Sequence, residues 1–220
     1  MLDFDKILEN TGIIAIVRGV SLDSVTKVMD ALFAGGVRLA EITFDSTFKT
    51  SPEKTAEIIH TAAEHMTDKM LIGAGTVITE EQLLAAKSGG ARFIISPNTD
   101  ANIIRKTKEF GLISLPGAMT VSEIVAASAA GADYVKLFPA SVLGADFIKQ
   151  VHGPLPSVKL LAVSGVSPSD IDTYIKAGAC GFGIGSAIYS KKLADAGDFE
   201  KIAENAKAFT DSYRTARGEI

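Results

Sequence analysis

The chain has almost no material for cross-links or metal cages. A single cysteine, Cys180, stands among 220 residues, so no internal disulfide can form, and neither Cys-X-X-Cys nor His/Cys ligand spacing occurs. A disulfide-stapled secreted scaffold and a structural zinc site are thereby excluded, a reducing cytoplasm suits the chain, and no metal or cofactor is expected. Basic runs are missing as well. The 22 Lys and Arg against 26 Asp and Glu leave a net charge of −4, with no electrostatic footprint for DNA or RNA. No apolar stretch approaches the roughly 18 residues that span a bilayer. The opening "MLDFDKILEN" places acids where a secretory leader carries basic residues. Neither nucleic acid nor membrane is therefore an expected partner, which leaves small molecules.

Apolar residues, by contrast, are plentiful. At 47% hydrophobic content the chain can bury the core of one domain spanning residues 1–220. Eight short β-branched runs recur: "IIAIV" at Ile13, "LAEITF" at Leu39, "MLIGAGTV" at Met70, "RFIISP" at Arg92, "LISLPG" at Leu112, "DYVKLFP" at Asp133, "VKLLAVSG" at Val158 and "CGFGIGS" at Cys180. Between them lie helix-length segments with apolar residues at i, i+3 and i+4, as in Val25, Val28, Met29 and Leu32. "TEEQLLAAKSGGA", "TVSEIVAASAAGA" and "SPSDIDTYIKAGA" each begin with a Ser or Thr N-cap and an early acid and end near a C-cap glycine. Asp198 to Arg217 reads as a last helix. Strands apolar on both faces and alternating with helices indicate a parallel sheet covered by helices. Eight such units predict an α/β fold, the (β/α)8 TIM barrel. An open doubly wound sheet is the alternative, without its usual G-x-G-x-x-G turn.

A barrel of this kind carries its active site at the C-terminal strand ends. Residues expected to converge there are Arg18, Glu41 with Thr43, Thr76, Ser96 with Asn98, Lys136, Ser164 with Gly165, and Gly185 with Ser186. Lys136 is the most informative, since Val135 and Leu137 flank it and strand alternation points it away from both. It is either a rim lysine with its charge in water or a buried amine. A lysine of ordinary pKa is only about 0.04% neutral at pH 7. Burial that lowers the pKa to about 7 to 8 raises the reactive fraction several hundredfold, and such an amine condenses with ketones. Glu41, in another apolar strand, is either a structural partner of Arg18 or Lys136 or a general acid/base of raised pKa. The glycine-rich ends "VSGVSPSD" and "GFGIGSAIYS" fit a phosphate, although strand-to-helix corners use glycine in any case. Thr76 is either a substrate contact or ordinary strand packing. His60, His65 and His152 read as surface or capping residues and Cys180 as a small core residue.

Taken in order, "AIVRG", "GGVRLAEIT", "IGAGTV", "FIISPN", "LPGAMTVSE", "VKLFPAS", "SGVSP" and "GIGSAIY" resemble the 2-keto-3-deoxy-6-phosphogluconate aldolase family, which includes 4-hydroxy-2-oxoglutarate aldolases. The resemblance covers about Ile13 to Ser190. It implies a class I aldolase, usually a homotrimer, of carbohydrate metabolism of the Entner–Doudoroff type. Such an enzyme cleaves a 2-keto-3-deoxy sugar acid phosphate to pyruvate and glyceraldehyde 3-phosphate, or 4-hydroxy-2-oxoglutarate to pyruvate and glyoxylate. By matching motif, Lys136 resembles the Schiff-base lysine and Glu41 the general acid/base. Arg18 and Thr76 match substrate contacts, Pro97 lines the site, and Ser164, Gly165, Gly185 and Ser186 match the phosphate end. Two departures stand out. Asp45 occupies a position where some members carry arginine, and "SGV" at Ser164 replaces a Thr-Gly-Gly. "SPN" with "LFPAS" is also similar to the branch acting on the 6-phosphogalactonate epimer. The rival readings are a phosphosugar isomerase or synthase that uses Lys136 as a charge clamp, and a non-catalytic metabolite binder or structural trimer.

Overall fold

The computed structural model describes residues 2–218. Its strands are β1 (Ile13–Arg18), β2 (Leu39–Thr43), β3 (Leu71–Gly75), β4 (Phe93–Ile95), β5 (Ile113–Leu115), β6 (Gly117–Ala118), β7 (Val135–Leu137), β8 (Leu160–Val163) and β9 (Gly181–Ile184). They pair in parallel in the order β5-β4-β3-β2-β1-β9-β8-β7-β6. β5 and β6 are two pieces of the predicted "LISLPG" strand. Pro116, which has no N–H to donate to a ladder, separates them. Backbone bonds cross the break: the Ser114 carbonyl accepts from the N–H groups of Asp133 and Tyr134 at 3.0 and 3.3 Å, and the Pro116 carbonyl accepts from Lys136 at 2.9 Å. The eight predicted units thus form a ring of parallel strands, an α/β barrel.

Helices precede, join and follow the strands: α1 (Phe4–Thr11), α2 (Leu22–Ala34), α3 (Pro52–His65), α4 (Glu80–Ser88), α5 (Ala101–Glu109), α6 (Val121–Ala129), α7 (Ala140–Leu143), α8 (Ala145–His152), α9 (Ile171–Ala177), α10 (Lys191–Asp195) and α11 (Phe199–Ala216). Their starts follow the sequence signals. Thr79 with Gln82 and Thr120 with Glu123 form capping boxes, in which side chain and backbone satisfy each other's orphan groups at about 0.5 to 2 kcal/mol per cap. α11 buries Ile202, Ala206, Phe209 and Tyr213 on one face, as its periodicity predicts. Burying a side chain of the size of Ile202 or Phe209 contributes about 1.5 to 3 kcal/mol.

Strand alternation sorts side chains into two clusters. Ala40, Ile42, Val135 and Leu137 point outward into the layer beneath the helices. Ile14, Leu39, Leu71, Phe93, Leu115 and Leu161 point inward and fill the lumen. Phe4 and Leu8 of α1 close the bottom of that lumen, with Phe4 packing at 5.2 Å on Phe93 and 5.5 Å on Tyr134 between ring centroids. The apolar filling stops short of the other end. There the inward positions become Glu41 and Lys136.

Candidate active site

Lys136 lies between two outward-facing neighbours on β7, so its side chain enters the barrel, where it is only 8% exposed. Its Nζ stands 4.7 Å from the centroid of the Phe138 ring. Burial pulls its pKa below the usual lysine value and the Arg18 guanidinium lowers it further, while the Glu41 carboxylate opposes both. Glu41, on β2, is 2% exposed. Burial pushes its pKa up to about 7 against the charges of Lys136 and Arg18. Its Oε2 is buried with no hydrogen-bond partner among the described residues. The carboxylate fits here because Gly75 leaves room. A Cβ on Gly75 would fall 2.4 Å from Oε2.

Both residues open into a cavity of about 750 Å³ that also meets Arg18, Thr76, Pro97, Ser164, Gly165, Gly185 and Ser186. That size suits a small metabolite. Two of these residues hold left-handed backbone without being glycine: Thr76 at φ 58° and Ser164 at φ 79°. For a β-branched residue this is a genuine outlier, and such conformations, at about 1 to 3 kcal/mol each, cluster where function fixes a side chain. The loops after β8 and β9 add backbone donors. The turn after β9 makes its first hydrogen bonds from Ile188 and Tyr189 to the Gly185 carbonyl, so the N–H groups of Ser186 and Ala187 precede the ladder. A lumenal amine of lowered pKa, a buried carboxyl of raised pKa and a wall of polar backbone form a site for carbonyl chemistry.

The sequence profile described as KDPG and KHG aldolase matches residues 4–205. The chain belongs to that aldolase family. Among its relatives, 2-dehydro-3-deoxy-6-phosphogalactonate aldolase of Escherichia coli is 35% identical over 93% of this chain and 95% of its own length. The 2-dehydro-3-deoxy-phosphogluconate aldolase of Pseudoalteromonas atlantica is 31% identical over 80% of each. A solved structure described as native KDPGal superposes with a TM-score of 0.85 at 34% identity, covering 94% of this chain and 96% of that one. The KDPG aldolase of Legionella pneumophila, solved with pyruvate captured as a covalent carbinolamine, gives 0.83 at 25% identity over 95% and 98%. This aldolase therefore has relatives named for both epimers of the phosphorylated keto acid.

Not every strand-end residue converges on the cavity. The Ser96 hydroxyl donates to the Val77 carbonyl at 2.6 Å, and the Asn98 carbonyl accepts from Gly117 at 3.2 Å; both knit neighbouring loops together. The Thr43 Oγ1 is buried without a partner and borders a second cavity, behind Arg18 and Ser46. Asp45, at the family's arginine position, folds back on its own loop. Its oxygens accept from the hydroxyl and N–H of Thr47 and from the N–H groups of Lys49 and Thr50 at 2.7 to 3.2 Å. The Thr47 bonds lead in holding its carboxyl down at about 2. Histidines and cysteine sit elsewhere: His65 bonds Asp30 at 2.8 Å, His152 meets the Val158 carbonyl at 3.0 Å, and the Cys180 thiol donates to the Leu160 carbonyl at 3.1 Å. The cavity also contains residues that sequence reasoning missed, among them Phe138, Val163, Tyr189 and Lys191. Of these, only Phe138 carried a signal, through its place beside the lysine in "VKLFP".

Proposed function

We propose that the chain is a class I aldolase that cleaves a 2-keto-3-deoxy-6-phospho sugar acid to pyruvate and glyceraldehyde 3-phosphate, with 4-hydroxy-2-oxoglutarate as a second substrate yielding glyoxylate. The observation that carries this reading is the buried, lumen-facing Lys136 sharing a cavity with an unpartnered Glu41 carboxylate. Membership of the aldolase family supports it.

In this mechanism the neutral Lys136 amine adds to the C2 ketone and forms a carbinolamine. Protonated Glu41 gives its proton to the departing hydroxyl, and loss of water leaves an iminium. The resulting Glu41 carboxylate takes the C4 hydroxyl proton, directly or through a water. The C3–C4 electron pair then flows into the iminium, releasing the aldehyde and leaving an enamine. Glu41 returns the proton to C3, and hydrolysis frees pyruvate and the amine. A carboxyl that titrates near pH 7 is suited to both halves of this cycle, because neither protonation state is far from reach. Arg18 and Thr76 would hold the keto-acid carboxylate, Pro97 would shape the wall, and Ser164, Gly165, Gly185 and Ser186 would receive the phosphate.

The relative named for the 6-phosphogalactonate epimer favours one further reading, in which the C4 configuration accepted is that of galactonate. A coupled pyruvate-release assay with the gluconate-, galactonate- and hydroxyglutarate-type keto acids tests both. Pyruvate from either phosphorylated epimer supports the aldolase, their relative kcat/KM assigns the epimer, and release from none of the three would overturn the reading.

We also infer a homotrimer in the cytoplasm. Met119, Val121, Val125, Phe138 and Val142, on α6, α7 and the turns that lead into them, are 37% to 67% exposed. An apolar patch of this kind marks an interface more often than free surface. Among the described residues no helix is long and apolar enough to cross a membrane.

A further inference from the structure

The cavity wall that follows β9 ends in a cation to which no motif assigned a role. Lys191, at the start of α10, lines the same cavity as Lys136 and Glu41. Its Nζ bonds both carboxylate oxygens of Asp195 at 2.6 and 2.7 Å, one helical turn away. Both partners of this pair are more than half exposed, and an exposed i,i+4 ion pair is weak and easily exchanged. The lysine stem also reaches the corner after β1, since a Cβ on Gly19 would lie 3.8 Å from its Cδ. Lys191 thus stands where the loops after the first and last barrel strands meet.

The division of charge around the cavity leaves this lysine a task. Among the described residues lining it, the cations are Arg18, Lys136 and Lys191. Lys136 must lose its charge to react. Arg18 acts electrostatically on both Glu41 and Lys136, which places it at the keto-acid end. Lys191 is the cation that follows Gly185 and Ser186 in the chain, beside backbone N–H groups that carry no full charge. The same wall holds Tyr189, 3% exposed with a hydroxyl that has no partner among the described residues. Burial and the nearby Asp195 charge push its phenol up to about 12, so it remains a protonated donor close to the carboxylate that Lys191 occupies.

We propose that Lys191 is the phosphate-recognising cation of this aldolase. It leaves Asp195 when substrate binds and pairs with the terminal phosphate of the keto acid. The site then prefers phosphorylated over unphosphorylated substrates by direct charge recognition. The exchange is favourable because the lysine–aspartate pair is exposed and screened by solvent, whereas a terminal phosphate brings about two negative charges to the same cation. This proposal rests on the aldolase reading and deepens it.

Steady-state kinetics of the wild type, Lys191→Met and Lys191→Arg tests it, with a 6-phosphorylated 2-keto-3-deoxy acid, with 4-hydroxy-2-oxoglutarate, and with inorganic phosphate as competitive inhibitor. For Lys191→Met the ratio of kcat/KM on phosphorylated to unphosphorylated substrate is expected to fall about tenfold through KM, the size of one charged hydrogen bond. The inhibition constant for inorganic phosphate should rise by a similar factor, and Lys191→Arg should restore most of both. An unchanged ratio together with an unchanged phosphate constant would overturn the role of Lys191. Borohydride trapping of pyruvate on the wild type separates that failure from failure of the aldolase reading. A chain that traps pyruvate but ignores Lys191 remains an aldolase, whereas one that traps none loses both claims.

Discussion

The Glu41 carboxylate lies over Gly75 so closely that a Cβ there would stand 2.4 Å from Oε2 and 2.5 Å from Cδ. The glycine on β3 thus makes the space in which the acid on β2 is held, although it is not itself among the described residues that line the cavity.

Gly75→Ala is therefore expected to displace the carboxylate and lower kcat by about 100-fold, the cost of an ångström-scale misplacement. Overpacking should destabilise the barrel by about 1 to 3 kcal/mol. Pyruvate should still be trapped on Lys136. The check is kcat alongside a denaturant curve; a variant with wild-type kcat would remove Glu41 from the chemistry or show that its position does not matter.

Glu41 also makes stability depend on pH in a definite direction. Its folded pKa, about 7, lies above the value of 4.5 for a free carboxyl. Below about pH 4.5 both states hold the proton and the contribution is complete; it is lost as pH rises through 7, by about 3 kcal/mol at most. Glu41→Gln should thus match the wild type near pH 4 and exceed it by about 1 to 3 kcal/mol near pH 8. Urea unfolding at the two pH values measures this, and identical pH dependence in both proteins would refute the raised pKa.

Ser164 provides a separate test, because its left-handed backbone at φ 79° is one that glycine adopts freely. Ser164→Gly should stabilise the fold by about 1 kcal/mol while raising KM for a phosphorylated substrate through loss of the hydroxyl. Thermal unfolding and KM are the readouts. A fall in both stability and KM would show that the strain is not held for binding.

Much of this was legible in the sequence for a simple reason. The β-branched runs and capping boxes are local signals, and the lumen-facing position of Lys136 follows from alternation between Val135 and Leu137. The split of the fifth strand at Pro116 was readable only as a proline, because its closure depends on carbonyls of Ser114 and Pro116 reaching the next strand. Ser96 looked like Thr76 at a strand end, yet its hydroxyl turns to the Val77 carbonyl. Asp45 likewise turns into its own loop, a choice set by Thr47 and Thr50. Lys191 was invisible as a site residue, since a lysine four positions before an aspartate reads as an ordinary surface pair.

The proposed homotrimer can be tested at the exposed apolar residues. Val142, 67% exposed, should tolerate Asp in an isolated subunit but not in a packed interface, where a buried unpaired charge is costly. Val142→Asp is expected to shift the mass in solution from trimer toward monomer, measured by light scattering. A trimer of unchanged stability would place the interface elsewhere.

The central claim is that Lys136 is the amine that bonds to substrate. Borohydride reduction in the presence of pyruvate, followed by peptide mass mapping, addresses it directly. The account predicts a reduced pyruvyl group on Lys136 alone, and its loss in Lys136→Met. Glu41→Gln should still form the adduct while kcat falls about 10²- to 10⁴-fold, as expected for loss of a general acid/base. No adduct, or an adduct on another lysine, would contradict the account.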